Sequence, residues 1–349
     1  MMTPRERWIA AIQRKPFDRI PSDFWATGEV VQTLLKELQC HSEDELWRAL
    51  HIDRPHSAGP RYIGPQLSGR DIWQVSHKLQ EVADGQGTYQ EVDECPLAGM
   101  DDVRQLEDFP WPTTDWFDFS HIREDLDRLE EWPVCGATYE PFLIYCAMRG
   151  LEQAYQDLAV FPEFADFALQ KIFEFHFDLN TKIFESAGTK GDILFCYVAE
   201  DLGSQHGLLM SAATIERFLI PRMKAMIDLT HSYGALAFHH DDGAIRTILP
   251  RLVEIGIDIL NPIQWRCPGM ERESLKRDFG EALTFHGAVD NQYTLPFGTP
   301  DEVRQEVLDN IRILGEGGGY IVAPCHNIQP ITPVKNILAM YSAIDEVYS

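Results

Sequence analysis

Histidine, aspartate and cysteine side chains follow two apolar runs of this sequence, and these residue types bind divalent metals. His240 and Asp242 flank a single residue, so an extended strand would direct both side chains to the same side. Cys325 and His326 end the second run. The set predicts a site for zinc or another divalent metal at His240, Asp242 and His326 or Cys325. The alternative is a layer of mutually hydrogen-bonded polar groups that caps the core.

Two aspartates at the ends of other apolar runs are candidates for acid-base chemistry or for anchoring a substrate. Asp201 ends the run 192–201, and Asp290 ends the run 283–290. A carboxylate beside a reacting group can donate or accept a proton. Both positions also suit turns, because Asp side chains hydrogen-bond nearby backbone N–H groups. Loop capping is therefore the alternative for each.

Further polar residues lie where apolar runs end. We predict that they bind substrate: Glu140, Glu200, Gln205, Gln264, Gln292 and Asn327. Because the carboxyl ends of parallel strands meet at one edge of a sheet, such residues would line one cleft although they are far apart in the chain.

The elements that must position these residues are visible as seven runs that begin apolar and end polar, as buried parallel strands do. They span 20–26, 134–140, 192–201, 236–242, 258–264, 283–290 and 320–327. Helix-start signals occur between strands, with Thr and Glu spaced as in a capping box at Thr3-Pro4-Arg5-Glu6 and Thr299-Pro300-Asp301-Glu302. This alternation predicts an α/β fold, a (β/α)8 TIM barrel with one strand unaccounted for.

Residues 62–96 interrupt the alternation of strands and helices. Apolar and polar residues alternate on both sides of Asp84-Gly85-Gln86-Gly87, which predicts a β-hairpin with a glycine-rich turn. We expect this N-terminal hairpin to decorate the barrel. The whole chain, 1–349, is then a single domain, since α/β barrels can exceed about 200 residues as one unit.

The charge and cysteine content exclude several classes of protein. The formal net charge is −25, and no stripe of Lys and Arg is present to neutralise a row of phosphates, so we predict no nucleic-acid partner. No apolar run approaches the length of a membrane span, and no secretion signal opens the chain. The seven cysteines form no C-x-x-C pair. They indicate reduced thiols and a cytoplasmic protein.

In its motifs the sequence resembles the uroporphyrinogen decarboxylase family in the broad sense, which includes methyltransferases that serve corrinoid proteins. The similarity runs from TPRERWIAAIQRKPFDRIP at Thr3 through EDLGSQ, HHDDG, DILNPIQ, HGAVDNQ and PFGTPDEVRQEV to APCHNIQPITPVKNILAMY. The resemblance implies a TIM barrel with a deep cleft at the carboxyl ends of its strands, commonly in a homodimer.

The sequence departs from both well-understood branches of that family. The decarboxylases carry an arginine-rich R-Q-A-G-R-Y segment near the N-terminus, whereas the matching place here reads Ser22-Asp23-Phe24-Trp25-Ala26-Thr27. The thiol-methylating branch has a zinc motif similar to H-x-C-G and a later G-C-G. Here Asp242 stands at the position of the first cysteine and His326 at that of the later one, beside Cys325. Such a ligand set is harder and suits an oxygen or nitrogen substrate better than a thiol.

The resemblance therefore implies a methyltransferase that moves a methyl group between a small O- or N-methylated substrate and a separate corrinoid protein. The metal or a protonated His240 would polarise the atom that bears the methyl group, and Asp201 and Asp290 would orient the substrate. One alternative is a lyase related to the decarboxylases that acts on a small carboxylated substrate. Another is a non-catalytic barrel used for binding or regulation.

Overall fold

The computed structural model describes residues 2–81 and 88–348, which form eleven strands and fifteen α-helices. The strands are β1 (His56–Ser57), β2 (Arg61–Tyr62), β3 (Ser76–Glu81), β4 (Thr88–Glu94), β5 (Phe117–Asp118), β6 (Val134–Tyr139), β7 (Phe195–Val198), β8 (Leu236–His240), β9 (Ile259–Asn261), β10 (Thr284–Val289) and β11 (Tyr320–Pro324). The helices are α1 (Pro4–Ile12), α2 (Gly28–Glu37), α3 (Glu43–Ala49), α4 (Arg104–Glu107), α5 (Ile122–Arg128), α6 (Pro141–Arg149), α7 (Leu151–Val160), α8 (Pro162–Ala187), α9 (Ala212–Phe218), α10 (Ile220–Ser232), α11 (Leu249–Ile255), α12 (Arg272–Phe279), α13 (Thr294–Phe297), α14 (Pro300–Leu314) and α15 (Val334–Tyr348).

A seven-stranded parallel sheet in the order β1-β6-β7-β8-β9-β10-β11 forms the centre of the molecule. Six of its strands, β6 to β11, lie within runs that the sequence indicated. The run 20–26 is not a regular strand, but Ser22 makes a parallel bridge to Val322 in β11. On its other side, the carbonyl of Ser22 accepts the N–H of Asp53, shortly before β1. These contacts connect the two edge strands, and the fold is TIM-barrel-like.

The interior of the sheet is filled by large apolar side chains, as expected for a packed barrel. Phe195 in β7 and Phe238 in β8 stack with ring centroids 5.1 Å apart. Trp8 of α1 stacks on Phe195 with centroids 5.6 Å apart and is fully buried. Helix α1 therefore packs against the inner cluster of the barrel, and a larger apolar cluster includes residues of most of the other helices.

The sequence signals for helix starts are confirmed at both predicted capping boxes. The hydroxyls of Thr3 and Thr299 accept the backbone N–H groups of Glu6 and Glu302, and the glutamate side chains accept in return from the cap residues. These caps satisfy N–H groups that lack partners at the start of a helix. They fix the first residues of α1 and α14.

Outside the central sheet, β3 and β4 pair antiparallel, and β2 pairs antiparallel with β5. The predicted turn Asp84-Gly85-Gln86-Gly87 lies outside the described residues. Within the described ranges no helix is both long and apolar enough to span a membrane. All seven cysteines have free thiols.

Candidate functional site

His240, Asp242 and His326 lie together at the carboxyl ends of the strands. One ligand atom from each residue falls within 4.8 Å of those of the other two. The rings of His240 and His326 have centroids 6.0 Å apart. His240 ends β8, and His326 follows β11. The shape of the barrel thus brings together residues that are far apart in sequence, and all three remain partly accessible.

Two glycines allow the loops after β7 and β8 to approach closely enough to place Asp242. Gly243 has φ +89°, and a Cβ there would lie 2.3 Å from the carbonyl oxygen of Ser204. A Cβ on Gly203 would lie 2.2 Å from the carbonyl oxygen of Asp242. Real side chains do not tolerate such distances, so both positions require glycine. The N–H of Ala244 donates to the Ser204 carbonyl at 2.8 Å and joins the two loops.

The ring of His240 is held on one edge by a hydrogen bond and on one face by an indole. Its Nδ1 lies 2.5 Å from Oδ1 of Asn261, at the end of β9. The Trp25 ring lies over it, with centroids 5.4 Å apart. Because Nδ1 is engaged, Nε2 is the nitrogen that remains for a metal or a proton.

A pair of amides supports Asp242. Gln264 Nε2 donates to Asp242 Oδ1 at 3.3 Å, and Gln205 Nε2 donates to Gln264 Oε1 at 3.4 Å. Gln205 follows β7 and Gln264 follows β9, so the amides tie three neighbouring strand ends together.

Carboxylates and imidazoles share one electrostatic environment at this site. Burial raises the pKa of Asp242, while His240 and His326 act to lower it and Asp201 to raise it further. Burial also raises the pKa of Glu140. His240 acts to lower this pKa, and Asp201 acts to raise it further. Asp201 is exposed. Histidines are the groups that lower the pKa values of Glu140 and Asp242. The electrostatic potential at the site is therefore negative unless a cation binds.

Glu200 is next to Asp201 in sequence but has a different environment. Its side chain is 1 % exposed, and both oxygens accept from the N–H of Phe142, at 3.1 and 3.2 Å. Burial raises the pKa of Glu200 well above its ordinary value. The contact joins the end of β7 to the first turn of α6, where orphan N–H groups favour an acceptor.

Asp290 has the contacts of a loop-capping carboxylate. Its oxygens accept the backbone N–H groups of Gln292, Tyr293 and Thr294, at 3.0 to 3.2 Å. They also pair with Arg266, whose Nε lies 2.7 Å away. This arrangement matches the turn alternative raised by the sequence, and it fixes the loop between β10 and α13.

The remaining predicted residues are Cys325, Asn327 and Gln292. The thiol of Cys325 is buried, donates to the carbonyl of Ile263 at 3.4 Å and lies outside the three-residue ligand group. Burial raises the pKa of Cys325 well above its ordinary value, which favours the thiol over the thiolate that a metal requires. Asn327 is half-buried and Gln292 is exposed.

Asn261 and Trp25, which contact His240, were not among the residues singled out from the sequence. Asn261 is a fully buried amide inside an otherwise apolar run, and a polar residue at such a position needs a partner. Trp25 could be placed only by the bridges from Ser22 to Val322 in β11 and from Ala26 to Ile328 after it, which no local pattern indicates.

The three ligand atoms fit a divalent metal such as zinc. Two imidazoles and one carboxylate are common zinc ligands, and a tetrahedral ion would hold them about 3.4 Å apart with a fourth position open. The candidate ligand atoms lie within 4.8 Å of one another in this structure.

The cluster of potential metal ligands lies at the carboxyl ends of the strands, where TIM-barrel enzymes have their active sites. A family model described as uroporphyrinogen decarboxylase (URO-D) matches residues 84–347, most of the chain. The chain therefore belongs to the uroporphyrinogen decarboxylase family, and the family predicted from the sequence is confirmed.

The relatives found lie on the methyltransferase side of that family. The chain is 24% identical to the methylcobamide:CoM methyltransferase MtaA of Methanosarcina barkeri, with 99% of each chain covered. It is 23% identical to the protein of that name in the strain Fusaro, again over 99% of each. A solved structure of a methyltransferase from Methanosarcina mazei superposes with a TM-score of 0.68 at 18% identity and complete coverage of both chains. That last likeness shows the fold.

Proposed function

We propose that this protein is a methyltransferase that moves a methyl group between a small O- or N-methylated substrate and a corrinoid protein, with a divalent metal bound by His240, Asp242 and His326. The observation that carries the proposal is the convergence of these three side chains. Its further support is that the full-length relatives are named methylcobamide:CoM methyltransferases.

The ligand set favours an oxygen or nitrogen substrate over a thiol. Asp242 offers a carboxylate oxygen, and Cys325, the cysteine beside His326, is a buried thiol outside the group. Oxygen and nitrogen ligands make a harder site than thiolates do. The substrate class proposed here therefore differs from the CoM in the relatives' names.

A divalent metal held by these side chains would supply Lewis acidity to the oxygen or nitrogen that gives up the methyl group. The alternative to the metal is a protonated His240: with Nδ1 bonded to Asn261, its Nε2–H would donate the proton to that atom as a general acid. Gln264 holds the Asp242 carboxylate in place.

The surrounding carboxyls would orient the substrate. Asp201 and Glu140 act electrostatically on the cluster and would attract a positively polarised methyl-bearing group. Asp290 would act indirectly, by holding the loop that carries Gln292. The sequence contains no D-x-H-x-x-G motif for cobalamin, so the corrinoid would arrive on a separate protein.

The test combines metal analysis with a methyl-transfer assay. Purified protein is expected to contain about one equivalent of zinc or another divalent metal. A panel of methyl ethers and methylamines is then offered with cob(I)alamin, which replaces the corrinoid protein, and methylcobalamin formation is followed by visible absorbance. His240→Ala and His326→Ala are expected to lose both metal and transfer.

His77→Ala is the matched control, because His77 pairs with Asp71 in the region of β3, far from the strand ends along the chain. It should retain metal and activity. Carbon dioxide release from carboxylated substrates without methyl transfer would favour the lyase alternative. Unchanged activity of metal-free protein and of His240→Ala would contradict the metal-assisted mechanism.

The single-domain organisation, the homodimer and the cytoplasmic location stay predictions. Size-exclusion chromatography with light scattering tests the homodimer, for which a mass of twice 39.9 kDa is expected.

A further inference from the structure

A line of buried polar side chains runs from His240 into the barrel. Asn261 Oδ1 lies 2.5 Å from His240 Nδ1, and Asn261 Nδ2 lies 2.7 Å from His286 Nδ1. His286 Nε2 lies 3.1 Å from Oδ2 of Asp23. Asn261 and His286 are fully buried, and Asp23 is 1 % exposed. Four side chains from β8, β9, β10 and the segment 20–26 therefore form one continuous hydrogen-bonded chain.

The carboxylate at the inner end sets the direction of every hydrogen bond in this chain. Asp23 accepts from the backbone N–H of Phe24 and from Trp25 Nε1, so its oxygens act as acceptors. A neutral His286 must then donate from Nε2, which makes its Nδ1 an acceptor.

The hydrogen-bond direction set at Asp23 also determines which ring nitrogen of His240 carries the proton. Since Nδ1 of His286 accepts, Asn261 donates to it from Nδ2 and presents Oδ1 to His240. His240 must therefore donate from Nδ1, and its Nε2 carries the free lone pair. That is the form in which an imidazole can bind a metal through Nε2.

Burying these four hydrogen-bonded side chains costs free energy, and packing alone does not explain why polar residues occupy these positions. Buried amide and imidazole groups are tolerated only when they are hydrogen-bonded, and apolar residues of similar size would be at least as stable. Aromatic rings nonetheless enclose His286, with centroids of Phe238 at 5.1 Å, Trp8 at 5.8 Å and Trp25 at 5.9 Å. The rings fix the plane of His286 and, through it, the orientation of Asn261.

We propose that Asp23, His286 and Asn261 are positioning residues that hold His240 in the Nδ1–H tautomer with Nε2 directed toward Asp242 and His326. The benefit of this arrangement rests on the proposed function, because it makes His240 a ready ligand. The tautomer itself does not depend on metal or substrate and can be measured without either.

The test is an NMR measurement of the histidine tautomer in metal-free protein. Protein with ¹⁵N-labelled histidine is recorded near pH 8, where an ordinary imidazole is neutral. Protonated and unprotonated ring nitrogens differ widely in ¹⁵N shift, and the His240 signals are assigned by their absence in His240→Gln. We expect His240 wholly in the Nδ1–H form. An Nε2–H form or a mixture in the parent protein would overturn the proposal.

Two substitutions at Asn261 separate positioning from simple packing. Asn261→Leu removes the acceptor at nearly constant volume, so His240 should become a mixture of tautomers. Asn261→Asp replaces the donor to His286 by an acceptor but keeps an oxygen toward His240 Nδ1–H, so His240 should keep the parent tautomer. His239 is the internal control, because its Nδ1 lies 2.7 Å from the carbonyl of Val198 and should be unaffected.

Metal affinity gives a second readout that is independent of activity. Removal of a hydrogen-bonding partner of a metal-bound histidine typically weakens binding about 10- to 100-fold. In a chelator competition with zinc we expect Asn261→Leu to lose about 10- to 100-fold in zinc affinity. In Asn261→Asp the change in the logarithm of the affinity should be less than about a third of that in Asn261→Leu. Equal affinities in the parent and Asn261→Leu would overturn the positioning role. Because the tautomer is measured without substrate, failure of methyl transfer would leave this result standing.

Discussion

At the residue scale, the most informative position is Asp242, where the resembling thiol-methylating enzymes have cysteine. One of its carboxylate oxygens lies within 4.8 Å of a ring nitrogen of His240 and of His326, and Gln264 donates to the carboxylate. In the proposed metal site, this single side chain would set the hardness of the ligand group. The substrate class and the metal preference should both follow from it.

The substitution Asp242→Cys tests this directly. A thiolate in place of the carboxylate should raise the affinity for Cd²⁺ relative to Mn²⁺ by at least about tenfold, because soft ligands select soft ions. The measurement is a competition titration with a chromogenic chelator. Asp242→Asn, which is neutral and has nearly the same volume, serves as the control and should weaken both ions together. An unchanged Cd²⁺ to Mn²⁺ ratio in Asp242→Cys would show that residue 242 does not bind the ion.

At the element scale, the site depends on the close approach of the loops after β7 and β8. Gly203 and Gly243 allow that approach, and the carbonyl of Asp242 packs against Gly203. The local sequence Asp-Gly predicts a turn, but the contact between the two loops exists only in the folded barrel. The position of Asp242 is therefore a property of both loops together.

Gly243→Ala is expected to disturb this contact. A Cβ at φ +89° and 2.3 Å from the Ser204 carbonyl should lower the free energy of unfolding by about 2 to 4 kcal/mol and weaken metal binding. Urea denaturation and chelator competition measure the two effects. Gly207→Ala in the same β7 loop is the control, since a Cβ there meets no atom within 4 Å. Its stability should stay within about 0.5 kcal/mol of the parent. Similar values for the two variants would contradict the role given to Gly243.

A second prediction at this scale concerns Asp290, which holds the loop between β10 and α13. Asp290→Ala leaves three backbone N–H groups and Arg266 without their acceptor, so we expect a loss of about 2 to 3 kcal/mol in the free energy of unfolding. Asp301→Ala, at an exposed position in the first turn of α14, is the control. Should Asp290→Ala keep full stability yet lose methyl transfer, Asp290 would act on the substrate itself.

At the scale of the whole molecule, the region where the edges of the sheet meet carries a network of ion pairs. Arg7 of α1 is buried and pairs with Asp18 and with the fully buried Asp53, which also pairs with Arg19. The N–H of Asp53 donates to the Ser22 carbonyl. The first helix is thereby fastened to the region that connects β11 to β1.

Asp18 makes part of this stability dependent on pH. The hydrogen bond from Arg7 lowers the pKa of Asp18 from 3.8 to about 2. Its contribution is therefore complete above about pH 4 and is lost as the pH falls toward 2. Asp18→Asn should be less stable than the parent by about 1 kcal/mol at pH 7, a value reduced for its partial exposure, and the difference should shrink below pH 4. Urea midpoints at pH 7, 4 and 3 measure it. A difference that is constant over this range would contradict the ion-pair explanation.

The sequence by itself determined the strands β6 to β11, both capping boxes and the family, and it offered His240, Asp242 and His326 or Cys325 as candidate ligands. The strands, the caps and the pair His240 and Asp242 rest on local signals: an apolar run with a polar end, a Thr-Pro-x-Glu start and an H-x-D spacing. Those signals depend on neighbours a few residues away, and such interactions are encoded where they occur.

Only the tertiary structure decided the rest. β1 is two residues long and carries no apolar run, so its place in the sheet follows from pairing with β6. Asp290 and Glu200 proved to hold loop and helix backbones, because their partners come from other elements. The chain from Asp23 to His240 joins residues more than 200 positions apart. Contacts of that range exist only once the barrel closes, because closure alone sets which strand ends face each other.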